Sequence, residues 1–193
     1  MKVSRERVAE NRERILQAAG RLFRERGFDP VTLADVMKAA GLTHGGFYGY
    51  FDSKEDLIAA ALADTLARTR PNIESLSAYA AFYLSPEHRD DLAGGCPTAA
   101  LAAETIRQAP EARAAMTSSI RTQIARMSEK SPEKTPAKRR QTAIATWSAM
   151  VGAMVLARVS DDRELSDEIL TQTRDWLDDV AHAASNSFPS TRS

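Results

Sequence analysis

The chain is poor in the residues that most often form disulfides or bind metals. Its 193 residues include one cysteine and three histidines. A single cysteine excludes a disulfide within the chain, and the histidines, His44, His88 and His182, lie too far apart in sequence for a metal-ligand spacing. None of them has a serine or a carboxylate at a recognisable catalytic spacing. The sequence therefore predicts no metal site and no cofactor, and it does not indicate an enzyme.

Long hydrophobic runs are also lacking. No apolar run approaches the roughly 20 residues that are needed to cross a bilayer, and the N-terminal segment MKVSRERVAENRER has no apolar core of the kind found in signal peptides. Hydrophobic residues make up 43% of the chain, which is ordinary for a soluble globular protein. We therefore expect a cytoplasmic protein without a membrane partner.

The chain also has no excess of charge of either sign, because its formal net charge is zero. The charges are nevertheless unevenly distributed: residues 1–26 contain eight basic and four acidic side chains. Phosphate contacts supply most of the affinity for DNA, and such a basic stretch could provide them, with Arg5 and Arg7 as the favoured contacts. The alternative is a solvated helix face with ion pairs such as Glu10 with Arg14.

The segment from Thr32 to Lys54, TLADVMKAAGLTHGGFYGYFDSK, predicts two short helices joined by a glycine turn and followed by a third helix start. Thr32 can cap the first helix together with Asp35, as in a capping box. Gly41 can adopt the left-handed conformation that ends a helix, and Thr43 can cap the next one. This is the arrangement of a helix-turn-helix module that reads DNA.

The second of these helices contains the side chains that we expect to face DNA. It begins with two glycines after its first residue, each of which costs roughly 1 kcal/mol of helix stability against alanine, so a close approach to a phosphate or a base edge could explain them. We expect Phe47 in the core, and Tyr48 and Tyr50 nearer to the exposed side. Ser53 can cap the third helix beside Lys54, which would direct free amides and a positive charge to a phosphate.

This pattern resembles the signature of the tetracycline-repressor (TetR/AcrR) family of bacterial transcriptional regulators. The matching residues are Thr32, Gly41, Thr43, Gly45, Tyr48, Phe51 and Lys54. Tyr50 stands where the family usually has histidine, which changes a phosphate contact. The resemblance implies an all-α protein with an N-terminal three-helix helix-turn-helix domain (1–54) and a C-terminal helical ligand-sensing and dimerisation domain (55–193). The DNA contacts that we predict are Thr32, Thr43, His44, Gly45, Tyr48, Tyr50 and Lys54.

Two apolar stripes predict a pair of long helices, around residues 140–158 and 163–184. Small residues in the first of them would let a partner helix come close, so the pair could form a four-helix seam with a second subunit. The resemblance implies such a homodimer. A dimer also suits the recognition of DNA, because two-fold symmetry doubles the number of base pairs that a short helix reads. The alternative is that both helices are buried within one subunit.

The signal that controls the protein is less evident from sequence. Aromatic, aliphatic and methionine side chains could line a pocket for an apolar inducer or simply form the core. They are Tyr79, Phe82, Tyr83, Met116, Ile120 and Trp147. Cys96 lies at a predicted helix start in GGCPTAALAAE, a segment similar to one in a branch of the family that senses electrophiles or oxidants through cysteine. Its alternative role is that of a small buried residue.

The sequence as a whole predicts a cytoplasmic, homodimeric transcriptional regulator, specifically a repressor that binds a palindromic double-stranded DNA operator. A small-molecule inducer would release it. Two alternatives stay open: a repressor switched by modification of Cys96, and a helical binding or enzymatic dimer that does not read DNA.

Overall fold

The computed structural model describes residues 5–69 and 71–186, and all regular secondary structure within them is helical. The predicted all-α fold is therefore confirmed. The elements are α1 (Arg5–Arg26), α2 (Leu33–Ala39), a 3₁₀ helix (His44–Gly49) called the recognition helix below, α3 (Lys54–Arg68), α4 (Leu76–Tyr83), α5 (Pro86–Asp90), α6 (Pro97–Thr105), α7 (Pro110–Glu129), α8 (Pro136–Val159) and α9 (Arg163–Asn186).

These helices form two compact units. The first contains the described residues up to 69 together with 92–119, and the second contains 71–91 and 120–186. The first unit extends beyond residue 54 because α3 packs against α1, and α6 packs against both. The division of roles into 1–54 for DNA binding and 55–193 for sensing and dimerisation stays a prediction.

The first unit is built on one apolar face of α1, where Ile15, Ala19 and Phe23 are buried. Helix α3 crosses α1 closely at Gly20: a Cβ atom placed there would lie 2.3 Å from the Thr65 hydroxyl oxygen. A side chain at position 20 would require the Thr65 side chain to rotate away or α3 to shift. The glycine thus lets the two helices lie close together at this crossing.

Helix α6 is attached to the chain reversal that follows α1. The Glu104 carboxylate at its C-terminal end accepts a hydrogen bond of 2.7 Å from the backbone N–H of Phe28. The preceding residue, Gly27, has a φ of 82°, a conformation that favours glycine. In the loop before α6, the carbonyl of Ala93 accepts a hydrogen bond of 2.6 Å from the Arg24 guanidinium. Both ends of the α6 segment are therefore bonded to α1 or to the turn that ends it.

The second unit is organised around the α8–α9 hairpin, with α4 packed on α9. One face of α8 buries Trp147, Met150 and Met154, and Leu170 and Leu177 of α9 are also buried. The two predicted helices around 140–158 and 163–184 agree with α8 and α9 to within a few residues at their ends.

A buried arginine joins α5 to this hairpin. Arg89 is only 2% exposed, and its guanidinium donates to the Asp90 carboxylate at 2.8 Å, to the Ser166 hydroxyl at 2.9 Å and to the Asp167 carboxylate at 2.5 Å. Arg158, near the end of α8, donates to the carbonyl groups of His88 and Arg89. Because Ser166 and Asp167 belong to the first turns of α9, this cluster connects α5 with both arms of the hairpin.

Helix α8 is long and apolar enough to cross a membrane when it is judged by length and composition alone, with a mean hydropathy of 1.4 over 18 residues. The prediction concerned continuous apolar runs; in α8, alanines, methionines and valines raise the mean hydropathy without forming one. This is weak evidence for a membrane span, since the core helices of soluble proteins pass the same test. In this protein, 39% of the window is buried inside the fold.

Candidate nucleic-acid interface

Helix α2 begins with the predicted capping box. The Thr32 hydroxyl accepts a hydrogen bond of 3.1 Å from the Asp35 N–H, and the Asp35 carboxylate accepts one of 3.0 Å from the Thr32 N–H. The Thr32 hydroxyl also donates to this carboxylate at 2.6 Å. These bonds from Thr32 lower the pKa of Asp35 below its ordinary value. Thr32 is exposed. The hydrogen bonds with Asp35 nevertheless fix the orientation of its side chain and direct its hydroxyl proton to the carboxylate.

The turn after α2 favours glycine because of its backbone conformation. Gly41 has a φ of 69°, in the left-handed region that the sequence predicted for it. The flexible end of the Arg14 side chain, from α1, lies over the turn, with a guanidinium nitrogen 2.6 Å from where a Cβ atom of residue 41 would lie. The turn places the recognition helix directly after α2, against which it packs.

The recognition helix is a 3₁₀ helix, whereas the sequence predicted a helix capped by Thr43. The Thr43 side chain makes no capping hydrogen bond; its backbone carbonyl accepts one of 3.1 Å from Gly46. The reason lies in the composition, because Gly45, Gly46 and Gly49 occupy half of the segment His44–Gly49 and lower its tendency to form a regular α-helix. Phe47 anchors the helix in the core with 0% exposure, as predicted.

The outer surface of the recognition helix is open. Tyr48 is 70% exposed, and Thr43, His44 and Gly45 are exposed beside it. A Cβ atom at Gly45 or Gly49 would have nothing within 4 Å, so packing within the described part of the chain does not require glycine there. The open backbone leaves room for close approach by an external partner.

Tyr50 is less accessible than the sequence predicted. Its ring is half-buried, and its hydroxyl accepts a hydrogen bond of 3.0 Å from the side-chain amide of Asn11 in α1. The next residue of α1, Arg12, has its guanidinium carbon 5.1 Å from the centroid of the Phe51 ring, a cation–π contact. Sequence reasoning missed Asn11 as a partner of this site, because the contact spans 39 residues and has no local pattern.

Helix α3 begins with the predicted cap. The Ser53 hydroxyl accepts a hydrogen bond of 3.1 Å from the Asp56 N–H. Lys54, the first residue of α3, is partly buried, and its ammonium group donates to the carbonyl oxygen of Asp29 at 3.0 Å. An ammonium group has three donors, so this bond fixes the position of Lys54 and leaves it able to contact a phosphate. Arg5 and Arg7 are exposed in the first turns of α1.

The residues predicted to bind a ligand do not form one group. Tyr79, Tyr83 and Trp147 are buried together in the second unit, with the Trp147 ring centroid 6.4 Å from that of Tyr79 and 5.4 Å from that of Tyr83. Phe82 instead lies on the surface, 61% exposed, with its ring stacked on His88. The sequence placed Phe82 with its neighbours because the short α4 is apolar nearly all round.

The two other predicted ligand residues lie in different units. Met116 is buried in the first unit, where its sulfur accepts a hydrogen bond from Thr98 at 3.8 Å. Ile120 is half-buried in the second unit. The second unit also contains a small cleft, partly open to solvent. It is lined by Leu76, Ser77, Pro132, Glu133, Thr142, Thr146, Leu177, Val180 and Ala181, none of which was predicted.

Cys96 is a buried cysteine outside any disulfide, 8% exposed, at the N-cap of α6. It belongs to the first unit, together with the recognition helix. Among the described residues, no group of three or more histidines, cysteines or carboxylates is arranged to hold a metal ion.

The N-terminal part of the chain is similar to known proteins by sequence. The family model described as "Bacterial regulatory proteins, tetR family" matches residues 15–61. The uncharacterized HTH-type transcriptional regulator YdgC of Bacillus subtilis (strain 168) is 42% identical over 67 residues, which cover 35% of this chain and 34% of YdgC. The matched part thus spans about a third of the length of that relative.

Similarity over most of the chain is weaker. The uncharacterized HTH-type transcriptional regulator Rv0196 of Mycobacterium tuberculosis (strain ATCC 25618 / H37Rv) is 27% identical over 181 residues, 86% of this chain and 93% of Rv0196. The crystal structure of reduced E. coli NemR has a TM-score of 0.69 at 24% identity and covers 88% of this chain and 95% of NemR. At that identity the likeness shows a common fold.

Proposed function

We propose that this chain, whose residues 15–61 match the model of the tetR family of bacterial regulatory proteins, is a cytoplasmic, homodimeric DNA-binding transcriptional repressor. It binds a palindromic operator and leaves it when a small-molecule inducer binds. The observation that carries this proposal is the open outer surface of the recognition helix, where the exposed Tyr48 stands beside Gly45 and Gly49. The family consists of regulatory proteins, which agrees with the prediction that the chain is not an enzyme.

The residues around this surface suit different parts of DNA. Thr43, His44 and Tyr48 present exposed polar groups to bases or phosphates, and Gly45 lets the backbone approach. Lys54 lies at the N-terminus of α3, where the helix dipole and the ammonium charge both attract a phosphate. Thr32 and Tyr50 flank the surface with fixed side chains.

Replacing Tyr48 by alanine should weaken operator binding about tenfold or more, because a hydrogen bond to a charged phosphate contributes about 1.5–3 kcal/mol. The melting temperature should stay within a few degrees, since the ring is 70% exposed. Gel-shift titration of the purified variant against a selected operator measures the first quantity, and thermal unfolding measures the second. The matched control is Ile106→Ala, another exposed side chain of the first unit, at 69%, which should bind DNA normally. Normal binding by Tyr48→Ala would remove Tyr48 from the interface.

The proposed dimer is supported by a second apolar face on the hairpin. On α8, Ile144, Val155 and Val159 are 41–77% exposed, and they recur at helical spacing nearly opposite the buried face. On α9, Leu165 and Trp176 are 46% and 55% exposed at the same kind of spacing. At Gly152 of α8, an added Cβ atom would meet nothing within 4 Å, so the glycine leaves room for a partner helix. A second copy of the hairpin would cover this face.

Release by an inducer follows from linkage. A ligand that binds only the conformation with wrongly spaced recognition helices shifts the population away from DNA by its differential affinity. The buried ring cluster of Tyr79, Tyr83 and Trp147 and the cleft of the second unit are the two places where the described residues could be rearranged by an apolar ligand.

A thiol switch is the second candidate, favoured by the position of Cys96. The cysteine begins α6, and the α6 segment is bonded to Arg24 of α1 and to Phe28 in the following turn. Addition of an electrophile to a thiol that is 8% exposed would require α6 to move, and this movement would act on the helices that hold the recognition helix.

The substitution Cys96→Ser distinguishes the two signals. If the thiol is the sensor, methylglyoxal should release wild-type protein from the operator and should fail to release the variant. Gel shifts with and without the electrophile, and mass spectrometry of the treated protein, measure this. Equal release of both proteins would exclude Cys96 and leave the reversible ligand. If neither protein binds any specific duplex, the remaining alternative is a helical dimer that does not read DNA.

A further inference from the structure

The two tyrosines at the recognition helix are held in different ways. Tyr48 is 70% exposed, and its ring touches Phe47 at a centroid distance of 5.2 Å. Tyr50, the residue that ends the helix, is half-buried, and its hydroxyl lies 3.0 Å from the amide nitrogen of Asn11. The Tyr48 ring is therefore open to solvent, whereas the Tyr50 hydroxyl is bonded to α1.

The direction of this hydrogen bond decides what Tyr50 can do. The side-chain nitrogen of an asparagine only donates, so the phenol oxygen accepts, and the phenol proton must point to another partner. A hydroxyl that already accepts a hydrogen bond is polarised and becomes a stronger donor. We propose that Asn11 is a positioning residue for DNA binding, which holds Tyr50 so that its O–H donates to a backbone phosphate. This inference rests on the proposed DNA-binding function.

The neighbouring contact points to the same role for this part of α1. Arg12 lies over the ring of Phe51, the residue after Tyr50. Two consecutive residues of α1, Asn11 and Arg12, therefore contact the two residues that follow the recognition helix. Asn11 contributes no charge, and the positive charge of Arg12 next to it favours an approaching phosphate. The ordering of the Tyr50 side chain is thus completed before DNA binds, which lowers the entropic cost of the contact.

A double-mutant cycle tests the proposal. The probe is a duplex of about 30 base pairs selected from a randomised library by the wild-type protein, with an unselected duplex of the same length as the non-specific control. Tyr50→Phe should weaken binding about tenfold, and Asn11→Ala about threefold to fivefold. The double variant should bind like Tyr50→Phe alone, because without the phenol oxygen Asn11 has nothing to position.

Two further measurements separate positioning from a general structural role. Asn11→Asp keeps the size of the side chain but turns the donor into an acceptor, so it should capture the Tyr50 proton and weaken binding more than Asn11→Ala does. Neither Asn11→Ala nor Tyr50→Phe removes a cation, so the slope of binding against salt concentration should stay that of the wild type. Lys54→Ala, by contrast, should reduce this slope by about one. Melting temperatures verify that each variant is folded.

The proposal is overturned if Asn11→Ala and Tyr50→Phe weaken DNA binding additively in the double variant, or if either of them alone binds like the wild type. It is also overturned if Asn11→Asp binds DNA as tightly as the wild type. Failure of the wild-type protein to enrich any duplex is a different result, which would overturn the DNA-binding function itself.

Discussion

Replacing Arg89 by methionine should lower the free energy of unfolding of the second unit by about 2–3 kcal/mol, the range expected for losing hydrogen bonds to charged partners. The full penalty of an unpaired buried charge should not arise, because Asp90 and Asp167 are about half exposed and can be hydrated. The loss should come from the bond to Ser166 and from the release of α5. Urea denaturation followed by the fluorescence of Trp147 and Trp176, both in the second unit, measures it.

The matched control is Arg163→Met. Arg163 pairs with the same Asp90 carboxylate at 2.9 Å, but its side chain is 64% exposed, so its removal should cost less than about 1 kcal/mol. Equal effects of the two substitutions would show that burial of Arg89 does not matter for stability.

The same cluster predicts a dependence on pH. The hydrogen bonds from Arg89, and then those from Arg163, hold the pKa of Asp90 well below its ordinary value of about 4. A carboxyl group with a lowered pKa in the folded state adds stability above its unfolded pKa, and this stability is lost as the pH falls through the folded value. The difference between wild type and Arg89→Met should therefore be constant from about pH 5 to 8 and should shrink below about pH 4.

Introducing a carboxylate at Val155 should dissociate the proposed dimer. Two-fold symmetry would place two Val155→Glu side chains in the apolar seam, one from each subunit, and a charge buried without a partner costs several kcal/mol. We expect the dissociation constant to rise at least about 100-fold, with a parallel loss of operator affinity because one recognition helix reads only half of the site. Analytical ultracentrifugation and gel shifts measure the two effects.

Ile106→Glu is the control for this experiment. Ile106 is 69% exposed, more than Val155 at 42%, but it lies outside the α8–α9 hairpin. The control variant should remain dimeric and bind DNA normally. A dimeric Val155→Glu protein, or a wild type that is monomeric at micromolar concentration, would contradict the proposed seam.

Features set by neighbouring residues could be predicted from the sequence. Thr32 and Asp35, which are joined by hydrogen bonds, are only three positions apart in sequence. The left-handed backbone conformation of Gly41 follows from its place after a short helix. The burial of Phe47 follows from the need of the recognition helix for one core anchor. Each of these depends on chemistry within a few positions along the chain.

Features set by long-range packing could not be predicted. Asn11 and Tyr50 are 39 residues apart, Lys54 and the Asp29 carbonyl are 25 apart, and Arg89 and Asp167 are 78 apart. Helical periodicity also failed to separate exposed Phe82 from buried Tyr83, because α4 has few polar residues to define its outer face.

The 3₁₀ geometry of the recognition helix has a consequence for its evolution. Successive residues turn by about 120° in a 3₁₀ helix and by about 100° in an α-helix, so a change to α geometry rotates a residue three positions away by about 60°. Tyr50 follows Phe47 by three positions, and Phe47 is fixed in the core. Alanines in place of the glycines would favour the α form and turn Tyr50 away from Asn11. Substitutions that ordinarily stabilise a helix are therefore expected to be selected against here, because they would stabilise the helix while moving Tyr50 out of the position that we propose for DNA binding.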